Sequence, residues 1–202
     1  VVFTDGAGLA GEVARLATDA SVDWTRVSIW WGDERFVEPD SPDRNAGQAR
    51  AAMLGALPIP AANIHEMPST VDAADVDSAA ERHAEELAAH GPDRFEVVML
   101  GIGPDGHVAS LFPGFPQVEE VERTVVGVTG SPKPPPLRVS FTRPVLDNGR
   151  ALWFVASGDG KAEAIATALS PSTRADVPAG RVTGRDETTW FLDEAAASRL
   201  PG

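Results

Sequence analysis

The sequence predicts an α/β fold built on an open, mostly parallel sheet with helices on both faces. Three observations lead there. Val27-Ser28-Ile29-Trp30-Trp31, Glu96-Val97-Val98-Met99-Leu100 and Ala151-Leu152-Trp153-Phe154-Val155-Ala156 are dominantly apolar and do not alternate, which predicts strands buried on both faces. Alanine-rich stretches at helical spacing lie between them. Each run also passes directly into a polar, glycine-bearing turn, and open parallel sheets bind ligands outside the carboxyl ends of their strands. At 202 residues the chain has the length of one domain.

The elements follow in order. Val1 to Phe3 is a short strand candidate, and Gly8 to Thr18 a helix. The Val27 strand follows, then a helix over about Asn45 to Leu54. The next helix, Ala73 to His90, is the clearest, because Val76, Ala80, Ala84 and Leu87 share one face and Gly91-Pro92 stops it. After the Glu96 strand come weaker candidates at Thr124 to Val128 and Arg138 to Phe141. The stretch Ser131-Pro132-Lys133-Pro134-Pro135-Pro136 between them predicts a stiff, extended loop. The Ala151 strand, a helix over Lys161 to Leu169 and a last strand over Thr189 to Leu192 complete the pattern. There is no internal repeat and no linker that would divide the chain.

Composition narrows the function. Lys plus Arg number 17 against 30 Asp plus Glu, a formal charge of −13, so the surface repels nucleic acid and anionic lipid unless its cations are gathered in one place. Absence of cysteine removes disulfides, thiolate nucleophiles and Cys-ligated zinc. No apolar run approaches the roughly 20 residues of a membrane helix. Val1-Val2-Phe3-Thr4-Asp5 lacks a basic start, an apolar stretch and Met, so the expectation is a soluble, cytoplasmic protein whose genetic start lies elsewhere. No nucleic-acid, membrane or obligate protein partner is expected.

The three turns are Trp31-Gly32-Asp33-Glu34-Arg35, Gly101-Ile102-Gly103-Pro104-Asp105-Gly106-His107 and Ser157-Gly158-Asp159-Gly160-Lys161. Parallel strands would bring Asp33, Arg35, Asp105, His107 and Lys161 to one cleft suited to an anion. Gly101, Gly103 and Gly106 match a dinucleotide expression. Pro104, Asp105 and the lack of a local cation argue against a pyrophosphate there. His107 titrates in the range of a neutral-pH base and Asp105 is placed to orient it, although a hydrogen-bonded helix-start histidine would look the same. Lys161 opens a helix, where free N–H groups favour an anion, or it is a solvated first-turn lysine. Lys133 and Arg138 flank the proline loop and can close over the same anion. Arg35 can pair with Asp33 or Glu34, or present its fork to an oxyanion. His83 and His90 with Glu86 imitate a metal site, but His90 at a helix end and His83 beside a solvated face fit ordinary roles better. His65 carries no signal.

Three segments carry a resemblance: Trp31-Gly32-Asp33-Glu34-Arg35-Phe36-Val37, then Asp43-Arg44-Asn45 with Gln48, and above all the run from Leu100 to Pro113. Together they resemble the 6-phosphogluconolactonases. Ser131 to Pro136 with Arg138, Gly160 to Ala164 and Thr189 to Asp193 extend the similarity over nearly the whole chain. The resemblance implies the fold shared with glucosamine-6-phosphate deaminases. It also implies hydrolysis of 6-phosphoglucono-1,5-lactone in the oxidative pentose phosphate pathway, by a carboxylic ester hydrolase without metal or organic cofactor. His107 would be the base with Asp105 orienting it, and Arg35 the oxyanion partner held by Asp33. Lys161 would bind the phosphate, with Lys133, Arg138, Asn45, Gly103 and Gly106 also on the substrate. The alternatives are an amino-sugar-phosphate deaminase/isomerase and a non-catalytic sugar-phosphate-binding domain. Nothing between Val1 and Val27 matches the family's early strand and Gly-rich phosphate loop. The expectation is therefore a single domain over 1–202 from which that strand and loop are missing between Ala20 and Ser21.

Overall fold

The computed structural model describes residues 1–3 and 22–201. The helix expected over Gly8 to Thr18 and the interval between Ala20 and Ser21 lie outside the described residues. Among the described residues there are nine strands: β1 (Val2–Phe3), β2 (Ile29–Trp31), β3 (Asp33–Arg35), β4 (Ile64–His65), β5 (Phe95–Leu100), β6 (Val125–Val128), β7 (Arg138–Phe141), β8 (Gly149–Ala156) and β9 (Glu187–Leu192). Six form one sheet in the order β4-β2-β1-β5-β8-β9, and every pair in it is parallel. All the loops that follow these strands therefore leave from one edge. β1 sits at the centre, paired with β2 on one side and β5 on the other.

A second sheet, antiparallel and ordered β3-β7-β6, was not legible in the sequence. β3 is the segment read as a turn. Its Gly, Asp, Glu and Arg composition looks like loop, yet it pairs Asp33 with Ser140 and Arg35 with Arg138. The chain passes from one sheet to the other at Gly32, whose carbonyl accepts the Phe141 N–H at 2.8 Å. Trp31 thus ends the parallel sheet and Asp33 begins the antiparallel one.

The helices are α1 (Asn45–Ala52), α2 (Val76–His90), α3 (Arg143–Leu146) and α4 (Ala162–Leu169). α2 starts where Asp75 and Ser78 satisfy each other's backbone N–H groups in a capping box. It buries Val76, Ala79, Ala80 and His83 against β6 and β7. Gly127 on β6 permits the close approach, since a Cβ there would lie 2.7 Å from Asp77 Oδ1. The core is apolar and aromatic, with Trp30, Trp31, Phe141, Phe154, Leu100 and Leu152 fully buried. Side chains of that size contribute about 1.5–3 kcal/mol each when buried.

Candidate active site

Three loops leaving the parallel sheet meet at a cleft of about 260 Å³. β2 delivers Asp33 and Arg35, β5 delivers Gly101 to His107, and β8 delivers Lys161; the proline loop adds Lys133 and Arg138 from the side. These are the chain's only two lysines, and both line this one cleft. Neither has a carboxylate within ion-pair distance among the described residues.

His107 is held by a short hydrogen bond, Nδ1 to Asp105 Oδ1 at 2.5 Å. Against a carboxylate, Nδ1 carries the hydrogen, which leaves Nε2 as an acceptor without a partner among the described residues. Phe112 packs on the ring with a centroid separation of 4.6 Å. Burial lowers the His107 pKa, against the opposing effects of Asp105 and Asp33, so the ring is a neutral base at pH 7. Burial pushes the Asp105 carboxyl up, but the bond and charge of His107 more than offset this and hold it below its usual value. The pair lies directly over Gly103. A Cβ at that position would sit 2.1 Å from His107 Cε1 and 2.7 Å from Asp105 Oδ1. Gly103 thus belongs to the cleft, as expected. Gly106 does not. Its φ of +81° turns the loop, and a Cβ there would meet Val177 at 2.6 Å, so its role is to shape the loop rather than to touch a ligand.

Arg35 is not held by Asp33 as expected. Its Nη1 donates to the Asp43 carbonyl at 3.0 Å and to Asn45 Oδ1. Asn45 Nδ2 in turn donates to the Asp33 carbonyl at 2.9 Å. Asn45 is buried, and both ends of its amide bond to the chain, so it positions Arg35 and does not line the cleft. Glu34, expected as an alternative partner of Arg35, instead takes the free amides of α1. Its carboxylate accepts from Asn45 N and Ala46 N, each at 2.8 Å, where Arg44 at the helix N-cap offers no side-chain cap. The strand and the helix that fix Arg35 are tied together by this one side chain.

Arg138 lines the cleft, but its guanidinium also supports the proline loop, with Nε donating to Pro135 O at 2.8 Å and Nη2 to Lys133 O at 3.0 Å. Lys161 stands at the start of α4. Its loop is held by Asp193, whose carboxylate accepts from Gly158 N at 3.1 Å and from Ala196 N at 2.7 Å. Ser110 and Ala109 were not found from the sequence. Ser110 donates to Asp33 Oδ2 at 2.6 Å, and Ala109 takes a left-handed φ of 48° at the cleft wall. A non-glycine φ of that kind leaves no trace in composition.

His65, His83 and His90 gather around Glu86 away from this cleft. His65 Nδ1 lies 2.8 Å and His90 Nδ1 3.3 Å from the Glu86 carboxylate. No group of three potential metal ligands occurs among the described residues.

Residues 6–190 match the family described as glucosamine-6-phosphate isomerases/6-phosphogluconolactonase. The 6-phosphogluconolactonase of Streptomyces coelicolor is 47% identical, over all of this chain and 82% of that protein. The Mycobacterium tuberculosis 6-phosphogluconolactonase is 40% identical, over all of this chain and 85% of that protein. The solved 6-phosphogluconolactonase of Trypanosoma brucei superposes with a TM-score of 0.85 at 25% identity, over 99% of this chain and 86% of that one. The chain belongs to the glucosamine-6-phosphate isomerase/6-phosphogluconolactonase family.

Proposed function

We propose that the chain hydrolyses 6-phospho-D-glucono-1,5-lactone to 6-phospho-D-gluconate, with His107 as general base. The observation that carries this is the His107–Asp105 pair, its Nε2 without a partner among the described residues, in the same cleft as Arg35 and two lysines that have no carboxylate partner among those residues. A lactone needs a base for water, a donor for the developing oxyanion and a grip on the distant phosphate. His107 Nε2 takes the proton of the attacking water, and Asp105 stabilises the imidazolium that forms. Arg35, fixed by Asn45 and Asp43, presents its remaining N–H groups to the oxyanion. Lys161, with Lys133 beside it, holds the phosphate, and Arg138 keeps the proline loop over the substrate. Relatives named 6-phosphogluconolactonase at 40–47% identity over the whole chain favour this reading over an amino-sugar-phosphate deaminase/isomerase or a non-catalytic sensor. A product assay decides: background-corrected release of 6-phosphogluconate from the lactone, with no ammonia from glucosamine 6-phosphate, is the expected result.

We read residues 1–202 as a single domain of this family, with β1 itself as the early central strand. Two observations support that over a strand lost between Ala20 and Ser21. β1 is paired on both sides, so the sheet has no slot left between β2 and β5. The alignment to the Mycobacterium relative takes in this whole chain within 209 positions, too few for a missing strand, loop and helix, which need roughly 30 residues. Thr4-Asp5-Gly6-Ala7-Gly8, which follows β1 in sequence, then stands where the family has its Gly-rich loop. Gly6→Val tests this: KM for the phosphorylated lactone should rise, and an unchanged KM would refute it.

A further inference from the structure

Lys161 reaches the cleft from the turn between β8 and α4, and the side chain that ties this turn down lies on another strand, 35 residues beyond Gly158. β8 and β9 stay in parallel register to their last residues, Ala156 opposite Leu192. Gly158 and Asp193 therefore stand just past two neighbouring strand ends. The Asp193 carboxylate meets Gly158 with both oxygens, each 3.1 Å from its amide nitrogen. Oδ1 also accepts from Ala196 N at 2.7 Å, so one side chain closes its own turn and the turn of the adjacent strand.

Gly158 is the N-cap of the 3-10 turn Asp159–Lys161, with φ +88°, and its carbonyl accepts the Lys161 N–H at 3.4 Å. In a capping box the N-cap N–H is taken by the third residue of the helix. Here the third residue is Lys161, whose ammonium has no acceptor to offer. Asp193 makes that bond in its stead, which leaves the Lys161 side chain to the cleft.

The segment that carries Asp193 is itself anchored. Ala197 N–H returns to the Asp193 carbonyl at 3.0 Å, Ala196 is fully buried and Leu200 packs on the core. Arg199 pairs with Glu163 in the first turn of α4, but both side chains are well exposed and such a pair contributes little. The bonds from Ala196 and Gly158 hold the Asp193 carboxyl below its usual range, so it is ionised at neutral pH. Charge-assisted bonds of this kind are the stronger ones.

We propose that Asp193 is a positioning residue for phosphate recognition, holding the Gly158–Lys161 turn so that Lys161 is set in the cleft before substrate arrives. The inference rests on the reading of Lys161 as the phosphate ligand. A turn ordered in advance removes that ordering cost from binding. Asp193 touches no reacting atom, so its effect belongs to KM and not to kcat.

The test is a double-mutant cycle with Lys161→Met on the intact chain, using the phosphorylated and the unphosphorylated lactone. Asp193→Ser keeps a local cap for Ala196 but is too short for Gly158 on the neighbouring strand. It should raise KM for the phosphorylated lactone by about 5–10-fold, less than Lys161→Met, with background-corrected kcat within about twofold of wild type. Its kcat/KM on the unphosphorylated lactone should match that of wild type. Within Lys161→Met the same substitution should change neither substrate's kcat/KM by more than about twofold. Asp193→Asn keeps Oδ1 and turns an NH₂ toward Gly158, so its rise in KM should be smaller, about two- to threefold, and confined to the phosphorylated lactone. Should the serine variant not fold, the asparagine variant is read in the same cycle. The proposal is overturned if the folded variant leaves KM unchanged, impairs both lactones by the same factor, lowers kcat instead, or weakens Lys161→Met as much as it weakens wild type. If Lys161→Met keeps the full preference for the phosphorylated lactone, the reading of Lys161 falls, and this inference with it.

Discussion

Two clefts in this molecule contain histidine, acidic residues and several cations, and only one of them has the makings of an active site. The second cleft, lined by Arg44, Arg50, Arg82, His65, His83 and Glu86, is the larger at about 360 Å³. Its charges are already committed. Arg50 pairs with Glu66 at 2.6 Å, Arg82 donates to the Asp72 carbonyl at 3.0 Å, and Arg44 donates to the Met67 carbonyl at 2.7 Å. His65 stacks on Trp30 at 4.0 Å and bonds Glu86. Among the described residues, the lysines of the smaller cleft have no carboxylate partner, and the His107 ring bonds through one nitrogen only. The second cleft also holds nitrogens without a partner among those residues, Arg44 Nη1 and His83 Nε2, but both atoms are buried. The difference teaches that a site is marked by charges at the cleft surface that lack an ion-pair partner, not by the number of charges or the size of the hollow.

Substitutions in the two clefts should therefore behave differently, and the largest effect belongs to His107. His107→Asn should lower background-corrected kcat by about 10²–10⁴ with little change in product affinity, as measured by steady-state kinetics and calorimetry. Near-normal activity would break the contrast at its strongest point. Gly103→Ala places a methyl group into the His107–Asp105 pair and should cost about 10² in kcat while the fold survives, since a displacement of about 1 Å is enough to do so. Lys161→Met should act on binding instead. A lost charge-assisted contact of about 1.5–3 kcal/mol raises KM by roughly 10–100-fold and narrows the preference for the phosphorylated over the unphosphorylated lactone.

His83 in the other cluster should affect stability and leave kcat unchanged. Burial lowers its pKa to about 4, and its Nε2 lacks a partner among the described residues, so the folded chain holds it neutral. Between pH 6.5 and pH 4 the unfolded chain binds a proton that the folded one does not. Stability from this group is therefore complete above pH 6.5 and is lost as pH falls toward 4, by roughly 3 kcal/mol in all. Urea denaturation at pH 7.5 and pH 4.5 should show the loss, and His83→Leu should flatten it. The smallest effect is expected at Arg50. Its ion pair with Glu66 is more than half exposed on the arginine side, so Arg50→Gln should change stability by less than about 1 kcal/mol and activity not at all.

The sequence was most legible where a residue's role depends on its immediate neighbours. The parallel strands, the proline loop, His107 beside Asp105 and Lys161 after its glycine turn could all be placed from local pattern. What escaped depends on distant partners. β3 looks like a turn because Asp33 and Glu34 are polar, and only the fold shows Ser110 and the amides of α1 bonding them. Asn45 looks like a ligand residue by its neighbourhood in sequence, yet tertiary contact makes it the support of Arg35. Neither the second sheet nor the left-handed Ala109 has a periodic signature. β1, only two residues long, was read as a weak strand although it holds the centre of the sheet.

The most direct test of the contrast uses the four histidines as reporters, one in the smaller cleft and three around Glu86. Imidazole resonances of the intact chain can be followed by NMR as 6-phosphogluconate is added. The account predicts a saturable shift of the His107 signal, with those of His65, His83 and His90 unmoved. Shifts confined to the three clustered histidines, or saturable binding that leaves His107 untouched, would contradict it.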